Sequence, residues 1–552
     1  MKKLLAVIIV LCMIFTLFAC NKDSSETKNT QGTGNEAAGS STTGSVNTGS
    51  ETTQNGNVTD SAGARQSGDP VSARDTLTIA ITGDNGTLLP SEIFGSGGIV
   101  GVIRQYTEVL YDLAENGDPI WVLATDIEQG LDEWIIHLRE GVTFSNGNKF
   151  DAHDVMFSLD RYVINGTSGN RTIFDWEKSY IIDDYTVCLG VADYSIQQLG
   201  SFTQYYMYDE ESFDADEFVT NPIGTGPYIV TEYVTNSHIY LEARDDYWGE
   251  QPKIKNLKYR IFKEEAQIIN AIQTNLVDIS VVVPLQEIDY IESSMPQYNV
   301  TEYLTCWCPT VNFNCSENSE MFNLDARLAV CHALNRQAVI NLVYFGYATL
   351  ADYMVSSNCF DYEPRLGGLN PTYSIGHDLD LAREYAEKAG LVGKDLVAIT
   401  NGQAAYIATA EILQANLREI GVNLIINNYD GASYSTVAAD QTMYDIILYA
   451  SASPQFLALG QIYDSLKNRP QRYAPGWPEF YDWLDLTAEG CRIIDMEERS
   501  DLLYQSTEMF VNGAPWYAIC TTQSFICINK DLAFPGFHYN GNMCFNEWWW
   551  TA

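Results

Sequence analysis

The chain runs to 552 residues, with 31 Lys and Arg against 72 Asp and Glu and a formal net charge of −41. No basic stripe appears along it, which excludes the electrostatic footprint of a nucleic-acid binder; the same acidity repels anionic headgroups and ligands in bulk. The length exceeds what one hydrophobic core supports, so two or three domains are expected.

The amino terminus comes first. Lys2 and Lys3 precede about fifteen mostly apolar residues from Leu4 to Phe18, a run short for a bilayer span and suited to a secretory signal. Leu17-Phe18-Ala19-Cys20 resembles the bacterial lipobox, in which the cysteine is acylated and the preceding peptide removed. Residues 1–19 are therefore expected to be a lipoprotein signal peptide and Cys20 the lipidated residue, with membrane attachment through that lipid. Residues 20–75 are rich in Ser, Thr, Gly and Asn and nearly lack large apolar side chains. They cannot offset the entropy of ordering and read as a flexible tether, with a mean span on the order of 40 Å. Nothing after Phe18 is continuously apolar enough to cross a bilayer.

The body begins with Leu77-Thr78-Ile79-Ala80-Ile81, an alternating strand. Trp134 to Leu138 reads as another, near an Asn146-Gly147 turn. Asp151 caps a helix that carries Val155, Leu159 and Tyr162 on one face. Tyr180 to Val191 is strand-like, and an acidic loop follows around Asp209 to Asp216. Further on, Leu328, Cys331, Ala338 and Leu342 line a helix closed by Gly346. Asp378 or Asp380 starts another that Gly390 stops. Ile407, Ala410, Leu413, Leu417 and Ile420 form an apolar stripe ending at Gly421, and Val422, Leu424 and Ile426 alternate as a strand. A helix returning through a tight turn into a strand is an α/β unit, so the architecture is mixed α/β with more than one lobe.

Ten cysteines remain after Cys12 and Cys20 are set aside: Cys188, Cys306, Cys308, Cys315, Cys331, Cys359, Cys491, Cys520, Cys527 and Cys544. Outside the cell an even number permits disulfides. None sits in a Cys-x-x-Cys pair, and Cys306-Trp307-Cys308 is too tight for a usual zinc knuckle. They are read as buried thiols acting as small apolar residues.

Four separated blocks carry a resemblance. Trp134 through Leu138-Arg139-Glu140-Gly141-Val142-Thr143-Phe144 leads to Ala152-His153-Asp154-Val155. Gly224-Thr225-Gly226-Pro227-Tyr228 is followed by Tyr247-Trp248. Asp325-Ala326-Arg327 precedes Ala333-Leu334-Asn335-Arg336, and Leu417-Arg418-Glu419-Ile420-Gly421-Val422 precedes Tyr444-Asp445. In order and in content they resemble the large extracytoplasmic solute-binding proteins of ABC importers, the oligopeptide, dipeptide and nickel type called family 5. The blocks also have a reading of their own. Gly224-Thr225-Gly226-Pro227 lacks the third glycine and the helix of a phosphate loop and reads as a turn into a strand. Asp325 and Arg327 read as an ion pair at a helix start.

The resemblance implies an α/β, two-lobed periplasmic-binding-protein-like fold of type II, in the large cluster with an extra inserted domain, its mixed sheets flanked by helices. Lobe I would be residues 76–110, 218–302 and 513–552, the inserted domain 111–217 and lobe II 303–512. It implies a monomeric receptor on the outer face of a bacterial cytoplasmic membrane. The lobes would close on a small solute and deliver it to permease subunits of an ABC importer, with no catalysis, no cofactor and no metal. Relatives that bind peptides anchor the ligand amine on an Asp in a Gly-Trp-x-x-Asp segment after Tyr-Asp; here Ser451 and Pro454 stand at the Trp and Asp. The ligand expectation is therefore an oligopeptide, with an oligosaccharide as the alternative because Trp307, Trp477, Trp483 and Trp548-Trp549-Trp550 offer stacking faces. By position in the family's contact segments, Phe94, Ser96, Trp307, Tyr449 and Ser451 are the candidate ligand-binding residues. His332 reads as structural. A secreted hydrolase is disfavoured: six histidines, no Gly-x-Ser-x-Gly elbow and no His-Glu-x-x-His helix.

Overall fold

Thr76–Ile81, with Leu77, Ile79 and Ile81 fully buried, lies inside a seven-stranded sheet rather than at its edge. The computed structural model describes residues 72–552 apart from 94–97, 166–173, 193, 196, 352, 355, 370–375 and 452–456. The predicted signal, Cys20 and most of the tether lie outside the described residues.

The first sheet orders its strands Tyr298–Tyr303, Ser524–Asn529, Ile279–Ser280, Thr76–Ile81, Asn256–Ile261, His238–Ala243, Tyr228–Val234. Thr76–Ile81 is parallel to both neighbours, and the other pairings are antiparallel. A second, five-stranded sheet orders Asn423–Asn428, Asp395–Thr400, Ile446–Ser451, Cys308–Phe313, Trp516–Ala518. Its first three strands are mutually parallel, and Cys308–Phe313 runs against both its neighbours. A third sheet of four antiparallel strands comes from Ala124–Gln129, Glu133–Leu138, Phe174–Asp183 and Thr186–Val191.

Most sequence expectations have a direct physical counterpart. Trp134, Ile136 and Leu138 alternate inward, and Trp134 packs against Phe174, Tyr194 and Phe202. Asp151 accepts from the His153 N–H (2.8 Å) and the Asp154 carboxylate accepts from the Asp151 N–H (2.9 Å), so the helix Ala152–Asn165 is capped from both sides. Asp378 is the cap of Leu379–Ala389, and Gly390 ends it in the left-handed region at φ 70°. The strand-like stretch from Tyr180 proves to be a hairpin of two strands.

Two expectations fail for identifiable reasons. The single helix through Leu328 and Leu342 is two, Leu324–Ala333 and Arg336–Val343. Leu334 is extended, and the Asn335 side chain accepts from the Ala338 N–H (2.9 Å), capping the second helix. That break resets the face, leaving Leu342 67% exposed. Nor do Asp325 and Arg327 pair: two residues apart on a helix, they point to different faces. Lys388 Nζ donates to Asp325 (2.7 Å), while buried Arg327 donates to the carbonyls of Met321, Phe322, Gly476 and Gly513 at 2.7, 3.0, 2.9 and 2.8 Å.

The other blocks are knots of the same kind. A Cβ at Gly224 would lie 2.1 Å from Tyr106 O, and one at Gly226 2.6 Å from Tyr106 C. Only glycine admits that approach. Arg244 donates to Phe144 O (3.0 Å), Thr143 O (3.2 Å) and Gly226 O (3.3 Å), pinning the first block to the second. Buried Glu108 accepts from the Tyr247 hydroxyl (2.7 Å) and Trp248 Nε1 (3.0 Å). Asp445 accepts from Ser319 Oγ (2.6 Å) and the Val397 N–H (2.8 Å).

Candidate ligand-binding site

The strand directions bring two sheet edges to one junction. In the first sheet Tyr298–Tyr303 runs parallel to Thr76–Ile81, so Tyr303 and Ile81 end on the same edge. In the second sheet Thr400, Asn428 and Ser451 end three parallel strands, and Cys308, which pairs with Ser451, begins the fourth at that edge. Residues 304–307 connect the two edges, and residues 519–523 return between them. Tyr303 and Cys308 are five residue steps apart and so at most about 18 Å from each other, which brings the carboxyl edges of both sheets close together there. The crevice outside the carboxyl ends of such strands is where open α/β sheets bind ligands.

The crossovers hold each other. Thr522 N–H donates to Trp307 O (3.1 Å), Ile519 N–H to Pro309 O (2.9 Å), and Thr305 Oγ1 to Thr522 O (3.2 Å). Cys520–Thr522 also pairs with Ala348–Leu350, outside both large sheets. Across the junction, Leu304 N–H donates to Glu115 Oε1 (3.4 Å), and Asn358 Nδ2 donates to Thr305 O (2.8 Å). Phe360 packs on Tyr539 at 5.5 Å between ring centroids, and a Cβ at Gly117 would lie 2.7 Å from its ring.

Three of the expected ligand residues fall at this junction. Trp307 lies in the first crossover and is 40% exposed; Tyr449 is 42% exposed and Ser451 is buried, both near the end of Ile446–Ser451. Thr310 Oγ1 donates to Tyr449 O (3.0 Å), fixing that strand end. Phe94 and Ser96 lie outside the described residues, as does Pro454. The other tryptophans weighed as stacking faces are placed differently. Trp477, Trp483, Trp548 and Trp550 are core residues, with Trp477 and Trp483 packed on each other at 5.2 Å, and Trp549 is half-buried. His332 is buried and stacks on Tyr385 with rings 3° from parallel.

The sequence reading missed Tyr406, a buried residue in the first turn of Ala404–Glu419 that packs on Tyr449 at 6.4 Å between ring centroids. It missed the second crossover too. A signal existed: residues 516–529 contain neither Gly nor Pro and form a run long for one strand, as expected of a segment serving two sheets. A cavity of about 630 Å³ opens at the other edge of the second sheet, lined by Phe322, Leu324, Arg327, Trp477, Met509 and Gly513. The Arg327 guanidinium there is already committed to carbonyls, and the cavity touches neither crossover. Among the described residues no helix is long and apolar enough to cross a membrane.

Residues 109–467 match the family of bacterial extracellular solute-binding proteins, family 5. The chain is 26% identical over 383 residues to the dipeptide-binding protein of Escherichia coli, covering 60% of this chain and 66% of that one. It is 26% identical over 338 residues to the nickel-binding periplasmic protein of the same organism, covering 55% and 61%. The chain spans 57% to 66% of the length of such curated relatives. Among solved structures it resembles the periplasmic binding protein DppA of Helicobacter pylori in complex with the peptide STSA. The TM-score is 0.70 at 20% identity, over 86% of this chain and 98% of that one.

Proposed function

From the premise that the chain belongs to the bacterial extracellular solute-binding proteins of family 5, we propose that it is the solute receptor of an ABC import system. It captures one small solute between its two lobes and hands it to the permease, catalysing nothing. The observation that carries this reading is the pair of carboxyl sheet edges joined by two short crossovers, with Trp307 and Tyr449 exposed beside them. Such a junction bends as a hinge, and closure strips water from the ligand, strengthening each hydrogen bond made inside.

The solute is an oligopeptide, in line with the dipeptide and STSA ligands in the names of its relatives. An oligosaccharide is the second reading, favoured by the exposed Trp307 ring and by Pro454 standing where peptide binders carry the amine-pairing Asp. Lobe I takes residues 76–110, 218–302 and the chain end, with residues 111–217 inserted. Lobe II takes residues 303–512, and the pairing of Trp516–Ala518 in the second sheet supports extending it to about residue 518. Acylation of Cys20 tethers the monomer to the outer face of the cytoplasmic membrane.

Titration calorimetry of the full chain against defined peptides and oligosaccharides tests the reading. One class binds with one-to-one stoichiometry and is recovered intact. Turnover of the bound molecule, or heat from neither class, contradicts it.

A further inference from the structure

The sulfurs of Cys306 and Cys359 lie 3.6 Å apart, the one thiol–thiol hydrogen bond among the described residues. Both side chains are buried, at 2% and 4% exposure. The contact is not held by the thiols alone. One residue away on each strand of chain, Asn358 Nδ2 donates to Thr305 O (2.8 Å), and the Cys359 N–H is fixed on Ser356 O (3.1 Å). The other sulfurs with hydrogen-bond contacts meet different groups. Cys188 meets Glu133 (3.8 Å), Cys308 and Cys315 meet backbone carbonyls (3.9 and 3.8 Å), and Cys544 meets His538 (3.7 Å).

We propose that Cys306 and Cys359 are a disulfide pair, closed by a low-molecular-weight disulfide of the extracytoplasmic space. One protein thiolate attacks a sulfur of that disulfide, forming a mixed disulfide and releasing one small thiol. The second protein thiolate attacks the protein sulfur of the mixed disulfide, the Cys306–Cys359 bond forms, and the second small thiol leaves. Two protein protons and two electrons end on the two small thiols. The hydrogen bond that the Cys359 thiol donates to Cys306, with burial behind it, holds that thiol well above its ordinary value. The attacking thiolate is therefore scarce in the packed protein. The bond forms as the chain folds, or when residues 356–362 lift away, and once formed it resists reductants.

The crosslink ties the first crossover to the loop that carries Phe360 against Gly117 and Tyr539. It sets where that loop stands without touching the exposed ring of Trp307. An extracellular family meets the oxidising conditions such a bond requires. The inference takes only its oxidant from the proposed location, so its test needs neither ligand nor permease.

Reduced, unfolded full-length protein is refolded in a buffer of reduced and oxidised glutathione. It is then denatured, its free thiols are blocked with a maleimide, and it is digested without reduction. The expected product is one linked pair of peptides carrying Cys306 and Cys359, lost in Cys306→Ser and retained in Cys308→Ser. The thermal midpoint of the linked protein falls by a few degrees on reduction. Maleimide on both Cys306 and Cys359, or either of them linked to another cysteine such as Cys308 or Cys520, overturns the proposal.

Discussion

Arg327 shows what a charged residue does when it is buried at 1% exposure with no carboxylate partner among the described residues. Its four N–H bonds reach carbonyls from three separate segments, so the charge is solvated by the backbone itself. Replacing it by Met keeps the volume and strands those carbonyls. Arg327→Met should cost at least about 3 kcal/mol in urea unfolding, since each buried acceptor left unpaired loses its compensation. Glu108 makes a different statement. Burial pushes its carboxyl from 4.5 up to about 7, against the hydrogen bonds of Tyr247 and Trp248. The folded protein then holds a proton that the unfolded chain has released. This carboxyl's contribution is full below pH 4.5 and is lost as pH rises through about 7. The loss amounts to at most about 3 kcal/mol. Between about pH 5 and about pH 8, Glu108→Gln should show a smaller fall in unfolding free energy than the parent protein. An equal fall in both would deny that this carboxyl titrates on unfolding.

At the scale of elements, the first crossover carries one exposed ring, Trp307. Trp307 is held through its backbone by Thr522, and its side chain is 40% exposed. Trp307→Ala should weaken solute binding about tenfold, the order expected for losing one aromatic contact in a closing site. Its thermal midpoint should stay within a degree or so of the parent, because the ring is not core. Calorimetry and thermal unfolding on the same preparation separate the two effects, and unchanged affinity would remove Trp307 from the site. Elements also show how far local pattern reaches. The helix over 404–419 and the strand after Gly421 were legible because one apolar stripe and one turn specify both. The joint at Asn335 was not, since Leu334 continues the apolar pattern while its backbone turns extended to let Asn335 cap the next helix.

For the whole molecule, the blocks that carry the family likeness fall on buried knots rather than on the edge where the two sheets meet. Gly224 and Gly226 touch the Tyr106 backbone, Arg327 gathers three segments, and Asp445 joins Ser319 to Val397. Such positions tolerate few residue types, which is why the architecture could be read from them. The edge where the two sheets meet obeys no such constraint. Trp307 and Tyr449 are exposed, so packing does not dictate them, and Tyr406 entered only through its contact with Tyr449. Of the candidates assigned by family position, Trp307, Tyr449 and Ser451 lie where the two sheet edges meet, while the identity of a solute follows from chemistry no buried pattern encodes. Native mass spectrometry of the full protein isolated from its own source measures that directly. The account predicts a single oligopeptide retained per chain and released unaltered on unfolding. A chain that retains no solute and binds none when offered peptides or oligosaccharides, or that releases cleaved products, would contradict it.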